Sequence, residues 1–268
     1  MALTGIKYDD YEERFRHRIA QLTPQAKKLN VLDLSRLGMN WGYGGDLYQQ
    51  ELAPFFHVET ILLHGNYIDG MVIHLSRFEH LKHLDLHFNA YWYWGTYGQL
   101  DLAKELPCPK LETLNLSDNL IGVVRLGNAA FRESLRSLDL SGCFFHTPQE
   151  NGREHPVLRL DRFPRLRRLV LNNNRLPYVP KLSFLPNLEE VDLSQNPIRC
   201  GHDQLLSLPR LKRLHLSANN LRRVPSALHK MKSLEYLDLR FNALPACEQK
   251  HLKNSLPRTR IEFDNPPA

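Results

Sequence analysis

One eleven-residue pattern recurs nine times along the chain and constrains its fold more than any other feature. Written L-x-x-L-x-L-x-x-N-x-L, the pattern is clearest in LETLNLSDNLI, residues 111–121. Each occurrence defines one repeat, and repeats one to nine begin at Leu29, Val58, Leu81, Leu111, Leu135, Leu166, Leu188, Leu211 and Leu234. A period of this length predicts stacked units that share one continuous core, because a single unit cannot bury its apolar face alone.

Within each repeat, apolar and polar residues alternate, which predicts a short β-strand with its leucines on one face. In repeat four those leucines are Leu114 and Leu116. After the strand the chain must turn, and an asparagine side chain can both donate and accept hydrogen bonds for buried backbone groups. Seven repeats carry this asparagine: Asn66, Asn89, Asn119, Asn174, Asn196, Asn219 and Asn242. Stacking therefore predicts an asparagine ladder, with Cys143 and Leu37 in the two remaining slots.

With these motifs the chain resembles the leucine-rich repeat family across residues 29–245. The resemblance implies an α/β solenoid, a leucine-rich repeat horseshoe with a parallel concave β-sheet of about nine strands. Successive repeats start 29, 23, 30, 24, 31, 22, 23 and 23 residues apart. The C-terminal half thus resembles the regular, small intracellular members of the family, while repeats one, three and five are longer. Cys143 is a substitution that the family accepts, whereas Leu37 departs from its pattern.

Both ends of such a stack need covers. Residues 1–28 are expected to form an N-terminal cap, because an apolar stripe at helical spacing runs from Tyr8 through Phe15 to Leu22. Residues 246–268 are expected to form the C-terminal cap, with a closing helix and a short final strand around Ile261.

Composition limits the remaining possibilities. No window is apolar enough for a membrane span or a signal peptide, and the four cysteines lack metal-ligand spacing. We therefore expect a cytoplasmic protein with no membrane association and no cofactor. Residues 1–120 hold 11 Lys and Arg against 15 Asp and Glu, a formal charge of −4, while residues 121–268 hold 24 against 14, a charge of +10. An acidic partner would prefer the C-terminal half.

The long segment of repeat three opens with YWYWGTYG, residues 91–98, which places five aromatic side chains in eight positions. Tyr91 fits an inward slot, but the other four have none. Repeat one contains a partial echo, Trp41-Gly42-Tyr43-Gly44. These rings could bury one another, or they could form an exposed anchor patch of the kind enriched in binding hot spots. The candidate patch comprises Trp41, Tyr43, Trp92, Tyr93, Trp94 and Tyr97.

The concave face of repeats two to five is a second candidate surface. Its outward-facing candidates are His64, His83, Asp85, His87, Phe88, Asp118 and Asp139. His64 and His87 occupy the same position in adjacent repeats, so they should lie about 5 Å apart and could share a metal ion with Asp85. Solvated strand residues and neutral surface histidines are the simpler interpretation of the same pattern, and no functional metal is assigned on sequence alone.

The functional hypotheses rest on the absence of catalytic motifs and on the rigid curved surface that a leucine-rich repeat horseshoe would provide. The sequence contains no G-x-S-x-G, Walker, H-E-x-x-H or C-x-x-C motif, so we expect no enzymatic activity. The leading hypothesis is a non-catalytic protein-protein interaction module, such as an adaptor, inhibitor or immunity-type binding protein. One alternative is an effector-like protein that binds nucleic acid or an acidic partner through the basic half, although the mixed charges there make nucleic acid the poorer candidate. Another is a structural scaffold that self-associates.

Overall fold

The computed structural model describes residues 9–39, 49–68, 75–89, 99–101, 106–119, 121, 123–125, 129–143, 149–150, 153–154, 158–159 and 163–264. Its strands, in chain order, are β1 (Val31–Asp33), β2 (Thr60–Leu62), β3 (His83–Asp85), β4 (Gln99–Asp101), β5 (Thr113–Asn115), β6 (Val123–Arg125), β7 (Ser137–Asp139), β8 (Gln149–Glu150), β9 (Arg153–Glu154), β10 (Leu158–Arg159), β11 (Arg168–Val170), β12 (Glu190–Asp192), β13 (Arg213–His215), β14 (Tyr236–Asp238) and β15 (Arg260–Glu262). Helices are Asp9–Leu22, Gln49–Leu52 and Ala246–Ser255, with short 3-10 turns at Thr23–Lys28, Ala53–Phe55, Leu75–Arg77, His202–Ser207 and Leu228–Lys230.

Ten strands form one open parallel sheet in the order β1-β2-β3-β5-β7-β11-β12-β13-β14-β15. Each of the nine repeats contributes a strand that begins two residues after the start of its motif. The tenth strand, β15, pairs with β14 and is the final strand expected from the C-terminal sequence. The prediction of an α/β solenoid with a parallel concave sheet is confirmed.

The core consists of the motif leucines, which lie behind the sheet. Leu114 and Leu116 of repeat four are 2% and 0% exposed. Equivalent residues in neighbouring repeats stack in register, since Leu84 pairs with Leu114 and Leu114 with Leu138. Burial of these rows supplies the main favourable free energy of folding, because each buried leucine contributes about 1.5–3 kcal/mol relative to an exposed one.

Helices close both ends of the core. In the helix Asp9–Leu22, Phe15 is fully buried and Ile19 nearly so, as the apolar stripe predicts. Tyr8 lies outside the described residues. At the other end, Leu252 and Leu256 are buried, and Ile261 packs against the core.

The asparagine ladder is present. Asn119 donates from Nδ2 to the carbonyl oxygens of Leu86 and Leu116, at 3.0 and 2.8 Å, and its Oδ1 accepts the N–H of Asn89 at 2.8 Å. In the fifth repeat the Cys143 thiol donates to the Leu116 carbonyl oxygen at 3.2 Å. A thiol can therefore replace one donor of the amide, which explains why this slot accepts cysteine.

The structure also contains two smaller sheets that the repeat pattern did not predict. Strands β4, β6 and β10 pair in parallel, and they come from the return segments of repeats three, four and five. Strands β8 and β9 form an antiparallel pair in the long fifth repeat. The elaborated repeats thus build additional sheet structure outside the concave face.

Candidate functional site

The two candidate surfaces differ in how much of them the structure describes. The aromatic patch lies outside the described residues, since residues 40–48 and 90–98 contain all six of its side chains. The concave-face candidates all lie within the described part and can be located individually. They occupy strand β3, the turns that follow β2 and β3, and the corresponding positions of repeats four and five.

Three side chains converge where strands β2 and β3 end. Asp85 Oδ1 lies 2.8 Å from His87 Nδ1, and Asp85 Oδ2 lies 3.5 Å from His64 Nδ1. The two imidazole rings stack with centroids 4.4 Å apart and planes 14° apart. The lateral proximity of His64 and His87 therefore agrees with the spacing expected between adjacent strands. All three side chains are half-buried, with 19%, 23% and 33% of His64, Asp85 and His87 exposed.

Asp85 is fixed in position by the turn that follows its strand. Its Oδ1 accepts the backbone N–H of His87 at 3.1 Å. The equivalent aspartates Asp33 and Asp192 make the same bond, to Ser35 and Ser194, at 3.0 and 2.9 Å. These aspartates therefore cap turns, which accounts for an aspartate at this strand position in several repeats.

His83 lies apart from this cluster. Its Nδ1 is 2.8 Å from Thr113 Oγ1 on the neighbouring strand β5. His83 therefore has a partner of its own outside the cluster of His64, Asp85 and His87.

Phe88 directly follows His87 and is strongly exposed. Its side chain is 69% exposed and its backbone is left-handed, with φ 52°. A bulky residue rarely adopts this conformation because its Cβ crowds the backbone. Phe241 occupies the same position in repeat nine, with φ 57° and the same 69% exposure.

The left-handed conformation is a property of the repeat, and sequence reasoning missed it. The residue immediately before the ladder position has positive φ in all nine repeats: Arg36, Gly65, Phe88, Asp118, Gly142, Asn173, Gln195, Ala218 and Phe241. Glycine, asparagine and aspartate at four of these positions were the available signal, since these residues tolerate the conformation best. Phenylalanine does not tolerate positive φ in this way, so a phenylalanine at this position needs a separate explanation.

The two remaining candidates have different environments. Asp118 is exposed, and its Oδ1 fills the space that a side chain at Gly142 would need. Asp139 is half-buried and accepts both the backbone N–H and the hydroxyl of Ser141, at 2.9 and 2.7 Å. Asp139 therefore contributes to its own turn, whereas Asp118 is exposed at the position of repeat four that corresponds to Phe88 in repeat three.

Charged residues at the second and third motif positions form a ladder across the sheet. Lys82 binds Glu59 at 2.6 Å, and Arg136 binds Glu112 at 3.2 Å. In the C-terminal half the pairs Arg167–Glu189, Arg168–Glu190, Arg213–Glu190 and Lys212–Glu235 lie between 3.0 and 3.5 Å. Charge pairs thus join repeat two to three, repeat four to five, and repeats six to nine. Each exposed pair contributes only about 0.2–1 kcal/mol, but the pairing leaves less unmatched charge for a partner.

A crevice of about 470 Å³ lies between the turns of repeats seven and eight. It is lined in part by Arg199, Arg222 and Arg223, together with His202. Burial lowers the pKa of His202 below its ordinary value, and within the described part of the chain its Nε2 has no hydrogen-bond partner.

Comparison with known proteins agrees with this geometry. Sequence profiles of the leucine-rich repeat match residues 186–244, a two-copy profile matches 164–201, and another matches 108–123. The chain is a leucine-rich repeat protein. Leucine-rich repeat-containing protein 66 of Homo sapiens is 33% identical to it over 146 residues, which cover 50% of this chain and 17% of the human protein. The leucine-rich repeat protein described here thus spans about a sixth of the length of that relative.

Solved structures share the fold of this leucine-rich repeat protein at low sequence identity. An internalin, inlF, from Listeria monocytogenes covers 95% of this chain and 74% of its own at 16% identity, with a TM-score of 0.62. TLR13, in a complex with ssRNA13, covers 84% of this chain and 30% of its own at 24% identity, also with a TM-score of 0.62. The leucine-rich repeat domain of APL1 covers 73% and 46% at 23% identity, with a TM-score of 0.54. At these identities the likeness concerns the fold alone.

Two further observations bear on function. Proteins of this family commonly mediate protein-protein interaction, and the family and fold are generally non-enzymatic. Within the described residues, no helix is both long and apolar enough to cross a membrane.

Proposed function

We propose that this chain is a non-catalytic protein-binding module of the adaptor, inhibitor or immunity type. Its partner would bind the concave face of repeats two to five, with Phe88 as the central anchor. The observation that carries the proposal is the 69% exposure of Phe88 in a left-handed backbone conformation, next in sequence to the His64–Asp85–His87 cluster.

The argument from Phe88 is energetic. A non-glycine residue held at positive φ costs of order 1 kcal/mol, and the repeat imposes that conformation at this position whatever the side chain. Exposure of a large aromatic ring brings no compensating burial in the free protein. An aromatic anchor that enters a partner's pocket would gain the free energy of burying its ring on binding, as hot-spot residues do.

The polar surroundings complement this anchor. Asp118 is exposed in repeat four, on one side of Phe88. The half-buried His64 lies in repeat two, on the other side, and the half-buried His87 directly precedes Phe88. An apolar centre with a polar rim is the usual anatomy of a protein interface.

The six aromatic residues Trp41, Tyr43, Trp92, Tyr93, Trp94 and Tyr97 extend the proposed surface. This part of the proposal is supported by sequence, since Trp92 and Trp94 fill no motif position. A cytoplasmic location is also proposed. It is supported by the four free cysteines, because disulfides are rare in a reducing compartment.

A photo-crosslinking experiment tests the proposal at one residue. The photoreactive amino acid benzoylphenylalanine, which resembles phenylalanine in shape, replaces Phe88 in one sample and Phe241 in another. Both positions have the same repeat register and the same exposure, so Phe241 controls for nonspecific capture. Irradiation in an extract of the source cells should yield a discrete protein adduct at position 88 that is absent at position 241.

Three other outcomes of the crosslinking would count against the proposed site. Adducts of equal yield at both positions would indicate nonspecific contact. An adduct at position 241 alone would move the binding side to the C-terminal repeats. An adduct formed by two copies of this chain would favour the self-associating scaffold.

A further inference from the structure

The cluster at the ends of strands β2 and β3 has the composition and geometry of a metal site. We propose that His64, Asp85 and His87 bind one divalent transition-metal ion of the zinc class. Two imidazole nitrogens and a carboxylate oxygen form a donor set that such ions accept. The inference needs no partner protein and stands independently of the proposed function.

Two of the distances between donor atoms are close to those of a tetrahedral ion, and rotation of the stacked imidazole rings would turn both Nδ1 atoms toward it. Zinc binds nitrogen and oxygen at about 2.0–2.2 Å, so two ligands of one tetrahedral ion lie about 3.3–3.5 Å apart. His64 Nδ1 and Asp85 Oδ2 are 3.5 Å apart. His87 Nδ1 and Asp85 Oδ1 are 2.8 Å apart, a hydrogen bond that would widen by about half an ångström as the ion replaces the proton. All three residues offer donor atoms within 4.8 Å of one another.

His64 provides a second, independent observation. Its Nδ1 is buried and, among the described residues, has no hydrogen-bond partner, because the 3.5 Å approach of Asp85 fails the geometry of a hydrogen bond. Buried polar atoms are almost always partnered, and an exception requires an explanation. A metal ion between His64 and Asp85 would supply the missing partner.

The turn prearranges the carboxylate for this role. Asp85 is held by the backbone N–H of His87 at 3.1 Å, so its two oxygens remain directed at the two imidazoles. In repeats one, five and seven the residue two positions after the aspartate is a serine that donates to the same oxygen. Repeats two and three carry histidine at this position, and their adjacency brings two imidazoles to one carboxylate.

The site leaves room for further coordination. Three protein ligands leave at least one position of a tetrahedral ion open, and the side chains are 19–33% exposed. Water would occupy the open position in the free protein.

Calorimetric titration with zinc chloride tests the inference on the full chain, in chelator-free buffer at about pH 7.5. We expect one ion per chain with a Kd of about 10 μM or tighter. Single substitutions His64→Gln, Asp85→Asn and His87→Gln should each weaken binding by at least about 100-fold. His83→Gln is the matched control, since His83 lies on the same strand with Thr113 as its partner, and it should bind zinc as the wild type does.

Cobalt(II) provides a readout that needs no variant. Four-coordinate cobalt absorbs visible light much more strongly than aqueous six-coordinate cobalt, so addition of one equivalent to the wild-type chain should produce an intense visible band. Zinc should abolish that band. Circular dichroism of each variant checks that the fold is retained.

Several results would overturn the inference. These are no zinc binding and no cobalt band in the wild type, unchanged binding in all three ligand variants, or equal loss in His83→Gln. Retained binding in one folded ligand variant would remove that residue from the site and refute the three-ligand assignment.

Discussion

Asn196 and Asn219 occupy the same position in consecutive repeats, but their side-chain oxygens have different partners. Asn196 Oδ1 accepts the N–H groups of Asn174 and Leu176, both at 3.0 Å. Asn219 Oδ1 is buried and accepts none among the described residues. The ladder therefore has a gap between repeats seven and eight.

The gap coincides with Pro197, which follows Asn196. At the equivalent positions Gly38, Arg175 and Asn220 are left-handed, and in each case the next repeat's asparagine accepts two N–H groups. Proline cannot adopt this conformation because its ring fixes φ near −65°. The backbone after Asn196 therefore takes a different course.

Pro197→Asn should close the gap and stabilise the protein by about 1 kcal/mol. The new hydrogen bonds to the Asn219 side-chain oxygen contribute about 1–3 kcal/mol. Removal of the proline raises the conformational entropy of the unfolded chain, which costs about 0.4–1 kcal/mol of stability. Urea denaturation measures the difference. The control Pro209→Asn, at an exposed turn proline, should only destabilise, and equal effects of the two substitutions would refute this account.

Asp238 should make stability depend on pH in the acid range. Burial alone would raise the pKa of its carboxyl, but the hydrogen bonds from Arg240, two from the guanidinium at 2.9 and 2.8 Å and one from the backbone, outweigh burial and lower it below the ordinary value of 3.8. Because the folded pKa is the lower one, this stabilisation is present above about pH 4 and is lost as the pH falls through the folded pKa.

Asp238→Asn should therefore destabilise the protein by about 1.5–3 kcal/mol at neutral pH. The difference from the wild type should shrink as the pH falls below about 4, where the wild-type carboxyl also becomes neutral. Denaturation curves across this range measure it. A difference that stayed constant with pH would show that charge at Asp238 does not contribute.

The cysteines should separate into two classes of reactivity. Cys108 and Cys143 are buried, and burial raises the pKa of both thiols to about 12, whereas Cys200 and Cys247 are exposed. The thiolate is the reactive form, so iodoacetamide should modify only the exposed pair in the native protein. Mass spectrometry should find two modified cysteines before denaturation and four after it. Early modification of Cys143 would contradict its place in the asparagine ladder.

Phe88→Asn and Phe241→Asn should each raise the free energy of unfolding by about 0.5–1 kcal/mol. Asparagine tolerates positive φ better than phenylalanine, and Asn173 already occupies this position in repeat six with φ 56°. Denaturation of both variants provides the measurement. Destabilisation by either substitution would mean that the ring makes contacts that outweigh the backbone strain.

The sequence predicted the features that depend on the repeat period. Strand positions, the buried leucines, the ladder asparagines and the proximity of His64 to His87 all follow from stacking equivalent positions at a fixed spacing. The charge pairs of repeats six to nine follow in the same way, since Arg168 and Glu190 are register partners.

The spacing of the repeats in the sequence could not predict features that depend on backbone conformation. The sheet of β4, β6 and β10 arises in return segments of unequal length, where no motif fixes the register. Likewise, Asp139 looked available for a partner, but its turn brings Ser141 within hydrogen-bond distance of its carboxylate. The strain at Phe88 required knowledge of φ, which a phenylalanine in sequence does not reveal.

Binding of the crosslinked partner to three purified chains tests the central claim most directly. The wild type, Phe88→Asn and Phe241→Asn are compared by their dissociation constants for that partner. A central aromatic anchor contributes about 2 kcal/mol or more, so Phe88→Asn should bind about 30-fold more weakly, while Phe241→Asn should match the wild type within about twofold. Unchanged affinity in Phe88→Asn, or equal loss in both variants, would contradict the assignment of the binding surface to repeats two to five.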